Sequence, residues 1–459
     1  MIDAANLKVA QILAEWLQTL DAREIPEGMQ RACTDTLIDT LGLSIAARHT
    51  DYVSALREAW PAEGPCTVLG WSETREVAGA AMINGSAAHG EDFDNTFEGC
   101  PVHSGAVIVP AVLAAAENWR LSGAQAVRGI VAGMEVMCRL GLIANKGIHS
   151  AGFHPTAVLG TMAAAAGVAA AAGLPATATA NALGIAGSMA GGLIEYLADG
   201  SWTKRLHAGW AAQSGLRAAA MARAGFTGPA SVFEGDHGLF HGFAPSIDPD
   251  FGILTTDLGS RWHAERTAFK PYACGTMTQP FVDCAIKLAQ TLRANDIATL
   301  TCHVGEGTVH RLWEPLALKQ RPPNPYAAKF STPYCVAVGF VRGDAGLAEF
   351  SVDCVHEEAV LELARRVSYE IDPDDEYPQN YTGRIVATLT NGQTVEAHQP
   401  HLRGGSRAPL TRDELVKKCS ANLRYGDCDS NVAGKLVEFA ASLSSDETPV
   451  SLQSLLAER

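Results

Sequence analysis

The sequence predicts a mainly α-helical protein with two parts. One is a large all-helical domain, discontinuous because the chain leaves it and returns. The other is a smaller α+β domain inserted near the C-terminal end. Three observations lead there. Met29, Cys33, Leu37, Leu41 and Ile45 recur at i+4 and draw one apolar stripe along a helix. The patterning changes after about Pro245, where strand-like runs and the turn pair Asn391-Gly392 enter. The chain then returns to helical grammar after residue 404.

Taken in order, Met1–Leu20 reads as an amphipathic helix that carries acidic residues, unlike a secretory leader. Val107–Trp119, Ala124–Leu142, Ala157–Ala172 and Ala211–Ala224 repeat the helical pattern, with glycine-containing turns such as Ser122-Gly123 and Gly225–Gly228 between them. Thr156–Thr177 carries no charge, but it is mostly Ala and Gly; a membrane span wants Leu, Ile, Val and Phe throughout. It is expected as a tightly packed interior helix. Pro245–Gly259 reads as loop with a short helix, and Leu300–Val304 as a strand. Ile385–Thr390 and Thr394–His398 flank Asn391-Gly392 as a hairpin, while Thr278–Arg293, Thr332–Val341 and Glu357–Arg366 are helical. Thr411 is placed as an N-cap before Asp413-Glu414. The expected division is a helical domain over 1–262, an α+β domain over 263–403, and helices over 404–459 that rejoin the first.

Composition narrows the function. The chain has 459 residues, enough for about two or three domains. With 35 Lys+Arg against 50 Asp+Glu the net charge is −15, which argues against a nucleic-acid binder but not against a local basic pocket for an anion. Eleven cysteines are scattered without C-x-x-C or Cys/His ligand spacing, so neither structural zinc nor an iron–sulfur cluster is expected. The odd count and the absence of a secretory start point to reduced thiols and a cytoplasmic protein that does not span a membrane.

Four segments carry candidate chemistry. In His89-Gly-Glu-Asp92-Phe-Asp94-Asn-Thr96, followed by Val102-His103-Ser104, acids, hydroxyls and histidines crowd in front of an apolar helix. Such crowding is costly unless the groups are paired or used. A capping loop with solvated acids and a weak Asp92/Asp94 metal reading are the alternatives. In Gly152-Phe-His154-Pro155, the histidine stands at a helix N-terminus, which suits an anion, although a buried structural imidazole fits as well. In Trp202-Thr-Lys204-Arg205-Leu-His207, two cations and a histidine are expected in a turn before a helix, where they would clamp a di- or tricarboxylate or form a solvated charge run. In Phe269-Lys270-Pro-Tyr-Ala-Cys-Gly275, a lysine among apolar groups either serves as a base or snorkels to solvent. No Gly-rich turn follows a strand at the start of a βαβ unit, so a dinucleotide fold is not expected.

The ordered set HGEDFDNT…HSGAVIVPAVLA, GFHPTAVLGTMAAAAG, ALGIAGSMAGGLIEYLADGSWTKRLHAGWAAQSGLRAAAMARAGFTGP and KPYACGTMTQPFVDCA resembles the MmgE/PrpD family of 2-methylcitrate dehydratase, cis-aconitate decarboxylase and iminodisuccinate epimerase, over nearly the whole chain. The resemblance implies a helical domain with a smaller α+β lid, usually a homodimer. It also implies metal-independent, cofactor-free chemistry on a small di- or tricarboxylate in a pocket between the domains. It places the family's acidic motif on Asp92 with Thr96, its G-F-H-P histidine on His154, and its T-K-x-x-H segment on Lys204 and His207. The interdomain lysine falls on Lys270 and the tyrosine after F-S-x-P on Tyr334. Two departures stand out. Decarboxylase-like members have His-Pro-Ser-Gly where this chain has Val102-His103-Ser104-Gly105, and a histidine five residues after the lysine where it has Gly275.

The expected reaction removes a proton from carbon next to a carboxylate. It needs a base within about 3 Å and fixed cations for the enolate-like charge. Asp92, His103, His154, Lys204 and Lys270 are the catalytic candidates, and Thr96, Arg205, His207 and Tyr334 the substrate-binding ones. Loss of a β-hydroxyl from the intermediate gives dehydration, and reprotonation on the opposite face gives epimerisation. Decarboxylation or a catalytically silent carboxylate binder are further alternatives.

Overall fold

The structure is a computed structural model that describes residues 8–429 and 431–456. The chain divides into two compact units, residues 1–267 with 415–459 and residues 268–414.

The first unit is built from helices. These are α1 (Val9–Thr19), α2 (Glu27–Ala46), α3 (Asp51–Ala59), α4 (Val77–Gly90), α5 (Ser104–Trp119), α6 (Gly123–Ala144), α7 (Pro155–Ala171), α8 (Ala176–Met189) and α9 (Thr203–Arg223). The amphipathic start appears as α1, which buries Val9, Leu13 and Leu17 on one side; Met1–Leu7 lie outside the described residues. Helix α7 is the Ala-rich segment. Every residue from Pro155 to Ala171 is buried, as an interior helix requires, and small side chains let neighbouring axes come close. Among the described residues no helix is long and apolar enough to cross a membrane.

One close approach sets the site. A Cβ on Gly209 of α9 would stand 2.1 Å from the Met82 carbonyl oxygen of α4, and a Cβ on Gly85 would stand 2.9 Å from the Gly209 Cα. The two helices therefore cross glycine to glycine. The same glycine accounts for a correction to the sequence reading. Helix α9 begins at Thr203, not at Ala211, so Lys204, Arg205 and His207 ride on its first turns instead of a preceding turn. Gly209 reads as a helix breaker in one dimension and is a packing contact in three.

The chain returns through helix α13 (Arg412–Tyr425) and helix α14 (Asn431–Ser442). Thr411 caps α13 as expected: Glu414 N donates to its Oγ1 at 3.2 Å, and Thr411 N donates to Glu414 Oε2 at 2.8 Å. Within the first unit, Lys418 forms an ion pair with Asp39 of α2 at 2.7 Å.

In the second unit α10 (Gln279–Ala289), α11 (Thr332–Arg342) and α12 (Glu358–Ala364) accompany a four-stranded mixed sheet. Its strands are β1 (Ile297–Val304), β2 (Val367–Ile371), β3 (Gly383–Leu389) and β4 (Thr394–Gln399), in the order β2-β1-β3-β4. β1 and β2 run parallel, and the other pairs are antiparallel. The β3–β4 hairpin turns at Asn391-Gly392, with Gly392 at φ +84°. β2 was not expected from the sequence. It is an edge strand in which Val367 alone is fully buried, so its apolar alternation is faint.

Candidate active site

Four histidines, two aspartates and a lysine meet in the first unit, each delivered by a helix end. His89 lies in the last turn of α4. The loop that follows carries Asp92, Asp94, Asn95 and Thr96, all buried. Asp92 holds φ +56°, a left-handed conformation that Asp tolerates better than most residues. His103 and His154 occupy the N-cap positions of α5 and α7, with Pro155 in the first turn of α7. Their backbones are tied down: His103 N donates to Thr156 Oγ1 at 3.3 Å, and His154 N donates to Gly192 O at 2.8 Å.

The imidazoles are packed in sequence. The His103 and His89 ring centres are 4.9 Å apart, His89 and His154 are stacked at 5.6 Å, and His154 and His207 are 5.3 Å apart. Tyr196, from a single helical turn, closes against His154 and His207 at 6.2 and 5.8 Å. The Nδ1 atoms of His154 and His207 are 3.2 Å apart, in hydrogen-bond contact. Burial lowers the pKa of both. His154 falls well below the usual 6.5, pushed further by His89, His207, Lys204 and His103. His207 falls to about 4, through burial and then the charges of His89 and Lys204.

The two aspartates of the motif face different partners. Asp92 accepts from the Lys204 ammonium in a mostly buried pair. Asp94 Oδ2 is 2.7 Å from His89 Nδ1 and 3.3 Å from His103 Nδ1. Burial works against the Asp94 anion, but His103 and His89 outweigh it and hold this carboxyl well below its ordinary range. His89, Asp94 and His103 gather their donor atoms within 4.8 Å of one another. The 2.7 Å spacing of His89 Nδ1 and Asp94 Oδ2 is that of a hydrogen bond.

Outside this cluster, Arg205 is half-buried with its guanidinium 4.6 Å above the Tyr52 ring, and Tyr52 donates to Glu91 Oε1 at 3.3 Å. The solvated charge run considered for this segment is not what forms. Lys270 and Tyr334 belong to the second unit. Lys270 is buried there, so its ammonium does not snorkel. Tyr334 is wholly buried, and its hydroxyl donates to Glu349 O at 2.7 Å, which gives it a packing role within that unit.

The comparisons with known proteins bear on the whole chain. The model of the MmgE/PrpD N-terminal domain matches residues 11–252, and that of the C-terminal domain matches residues 272–436. The chain belongs to the MmgE/PrpD family. Among curated proteins it is 27% identical to the cis-aconitate decarboxylase-like protein oryM of Aspergillus oryzae, over 97% of this chain and 96% of that one. It is 27% identical to cis-aconitate decarboxylase of Aspergillus terreus, over 90% and 89%. It is also 27% identical to cis-aconitate decarboxylase of Mus musculus, over 92% and 88%.

Of the nine site residues expected from the sequence of this MmgE/PrpD member, Asp92, Thr96, His103, His154, Lys204, Arg205 and His207 lie in the first unit, and Lys270 and Tyr334 in the second. His89 and Asp94 stand in the same motif but were not among them, Asp94 being considered only as a weak metal ligand. Their signal was a histidine and an aspartate five residues apart across a helix end, which brings His89 Nδ1 to the carboxylate. Nothing in the sequence pointed to Tyr196.

Proposed function

We propose that this protein is a cofactor-free lyase that removes a proton from the carbon next to a carboxylate of a small di- or tricarboxylic acid. The first reading is a dehydratase of a citrate-like hydroxy acid, of the 2-methylcitrate dehydratase kind. One observation carries it: two buried imidazoles, His154 and His207, stay neutral next to the Lys204–Asp92 pair. A weak carbon acid needs an unprotonated base near neutral pH and a fixed cation to hold the charge that develops on the carboxylate. In this reading His154 takes the α-proton, with His207 as its hydrogen-bond partner. Lys204 grips the substrate carboxylate, and Arg205 adds positive potential at the rim. The departing β-hydroxyl takes a proton from the Lys204 ammonium held by Asp92 and leaves as water, and Thr96 donates a hydrogen bond. Lys270, in the second unit, stays a catalytic candidate on the strength of the family resemblance alone. Tyr334 contributes by shaping that unit. The homodimer implied by the resemblance belongs to the same proposal and is read by light scattering.

Decarboxylation is the second reading, favoured by the likeness to cis-aconitate decarboxylases. Against it stand Val102 and Gly275, where decarboxylase-like members carry histidines. Epimerisation of a dicarboxylate uses the same first step.

The test is a panel of small carboxylic acids incubated in chelator-treated D2O and followed by NMR. Dehydration gives a new vinylic product, epimerisation gives exchange without elimination, and decarboxylation gives loss of CO2. Saturable binding with neither exchange nor product on any acid would leave a silent carboxylate binder and end the lyase reading.

A further inference from the structure

The trio of His89, Asp94 and His103 has no part in the proposal so far. His103 Nδ1 lies 2.8 Å from the Asn95 carbonyl oxygen and 3.3 Å from Asp94 Oδ2. Both neighbours are acceptors, so this nitrogen must carry the proton. A neutral His103 then has its lone pair on Nε2 alone. The same carboxylate oxygen takes a hydrogen bond from His89 Nδ1 at 2.7 Å. His89 is completely enclosed, and its Nε2 has no hydrogen-bond partner among the described residues. A buried carboxylate between two imidazoles costs more than an apolar core unless the arrangement has a use.

We propose that Asp94 is a positioning residue that locks His103, and behind it His89, in the Nδ1–H tautomer, so that His103 presents Nε2 as a proton acceptor. The inference rests on the lyase reading for its catalytic meaning and deepens it, because His103 then supplies from one position later the imidazole displaced by Val102. Charged and titratable groups face the trio from each neighbouring element. Asp39 of α2, itself held by Lys418 of α13, senses Asp94. His154 of α7 and Lys204 and His207 of α9 lie beyond His89. Against that background one carboxylate oxygen, Asp94 Oδ2, stands within 2.7 Å of His89 Nδ1 and 3.3 Å of His103 Nδ1.

Long-range 1H–15N NMR of the full-length protein labelled at histidine tests this directly, with His103→Gln and His89→Gln for assignment. The wild type is expected to show His103 and His89 as Nδ1–H. An Nε2–H tautomer at His103 in the wild type overturns the proposal with no variant needed. In Asp94→Asn the tautomers are expected to mix. With a turned-over acid, kcat should fall about 10²- to 10⁴-fold with KM nearly unchanged, since a wrong tautomer disables a general base. Asp94→Glu should recover part of it. Wild-type tautomers and wild-type kcat in Asp94→Asn would likewise overturn the proposal. If no acid in the panel reacts, the lyase reading fails, while the tautomer spectrum still decides the role of Asp94.

Discussion

The Nδ1 atoms of His154 and His207 stand 3.2 Å apart, so one ring donates and the other accepts. Two imidazolium rings cannot share that contact, and the cluster of histidines and Lys204 around them opposes a second positive charge. The pair is built to stay neutral.

A pH dependence of stability follows. The folded-state pKa of His207 is depressed from 6.5 to about 4, so the unfolded chain takes up its proton first as pH falls. Stability is therefore full above about pH 6.5 and is lost on acidification through the window from 6.5 to 4. For this residue alone the loss is about 2 kcal/mol by pH 5, and His154 adds to it in the same direction. Urea midpoints at pH 7.5 and 5 measure it. The slope should shrink in a His207→Asn variant; equal slopes in the two proteins would contradict the buried neutral ring.

The Lys204–Asp92 pair gives a second prediction. The side chains are 13% and 6% exposed, so removing the cation strands a buried carboxylate. Lys204→Met should cost about 3 kcal/mol of stability. It should also reduce kcat/KM about 10²- to 10³-fold, the scale for losing one charge-stabilising donor. Adding Asp92→Asn should restore most of the stability, because no unpaired charge remains, but none of the activity. Recovery of activity in the double variant would show that the pair holds the fold and takes no part in the reaction.

Much of this was legible in the sequence, and the misses have particular causes. The i+4 stripe of α2, the Ala-rich helix and the Asn391-Gly392 hairpin are periodic or turn-coded signals that local chemistry determines. Lys204, His154 and Asp92 were found because charge or histidine among apolar residues is conspicuous. What escaped depends on crossing geometry. The start of α9 was misplaced because Gly209 serves the crossing with α4. Asp94 entered the sequence reading only beside Asp92 as a weak metal ligand, because its two histidine partners are set by the fold.

Gly275 offers a gain-of-function test of the reaction type. A Cβ there would meet the Phe330 Cδ1 at 3.4 Å and the Lys329 carbonyl oxygen at 3.6 Å, ordinary contact distances. Its φ of −56° suits any residue. Glycine is thus not required by the backbone, and Gly275→Ala should melt within a few degrees of the parent. Gly275→His introduces the imidazole that the family resemblance places at this position in decarboxylase-like members. It should raise CO2 release from cis-aconitate about tenfold or more, as expected of an added proton donor. No gain, in a variant that folds, would mean that the glycine does not set the reaction type.

The last prediction concerns Lys418, far along the chain from the motif it supports. Its ammonium sits 2.7 Å from Asp39 Oδ1, donates to the Phe93 carbonyl oxygen at 2.8 Å, and lies 3.9 Å from the centre of the Phe93 ring. The other Asp39 oxygen accepts from Asn95 N at 3.1 Å, and Asn95 Oδ1 accepts from Gly105 N at 3.1 Å. The returning helix thereby fixes the backbone on both sides of Asp94 and ties it to the start of α5. Lys418→Met leaves Asp39 buried without its cation and should destabilise the protein by about 3 kcal/mol. The double variant Lys418→Met/Asp39→Asn removes the stranded charge and should recover most of that loss. Its loop keeps the Asn95 contact through the new amide oxygen but lacks the Phe93 tether, so kcat should remain several-fold low while KM changes little. A double variant with full stability and full kcat would show that the tether to Phe93 plays no part in positioning the loop.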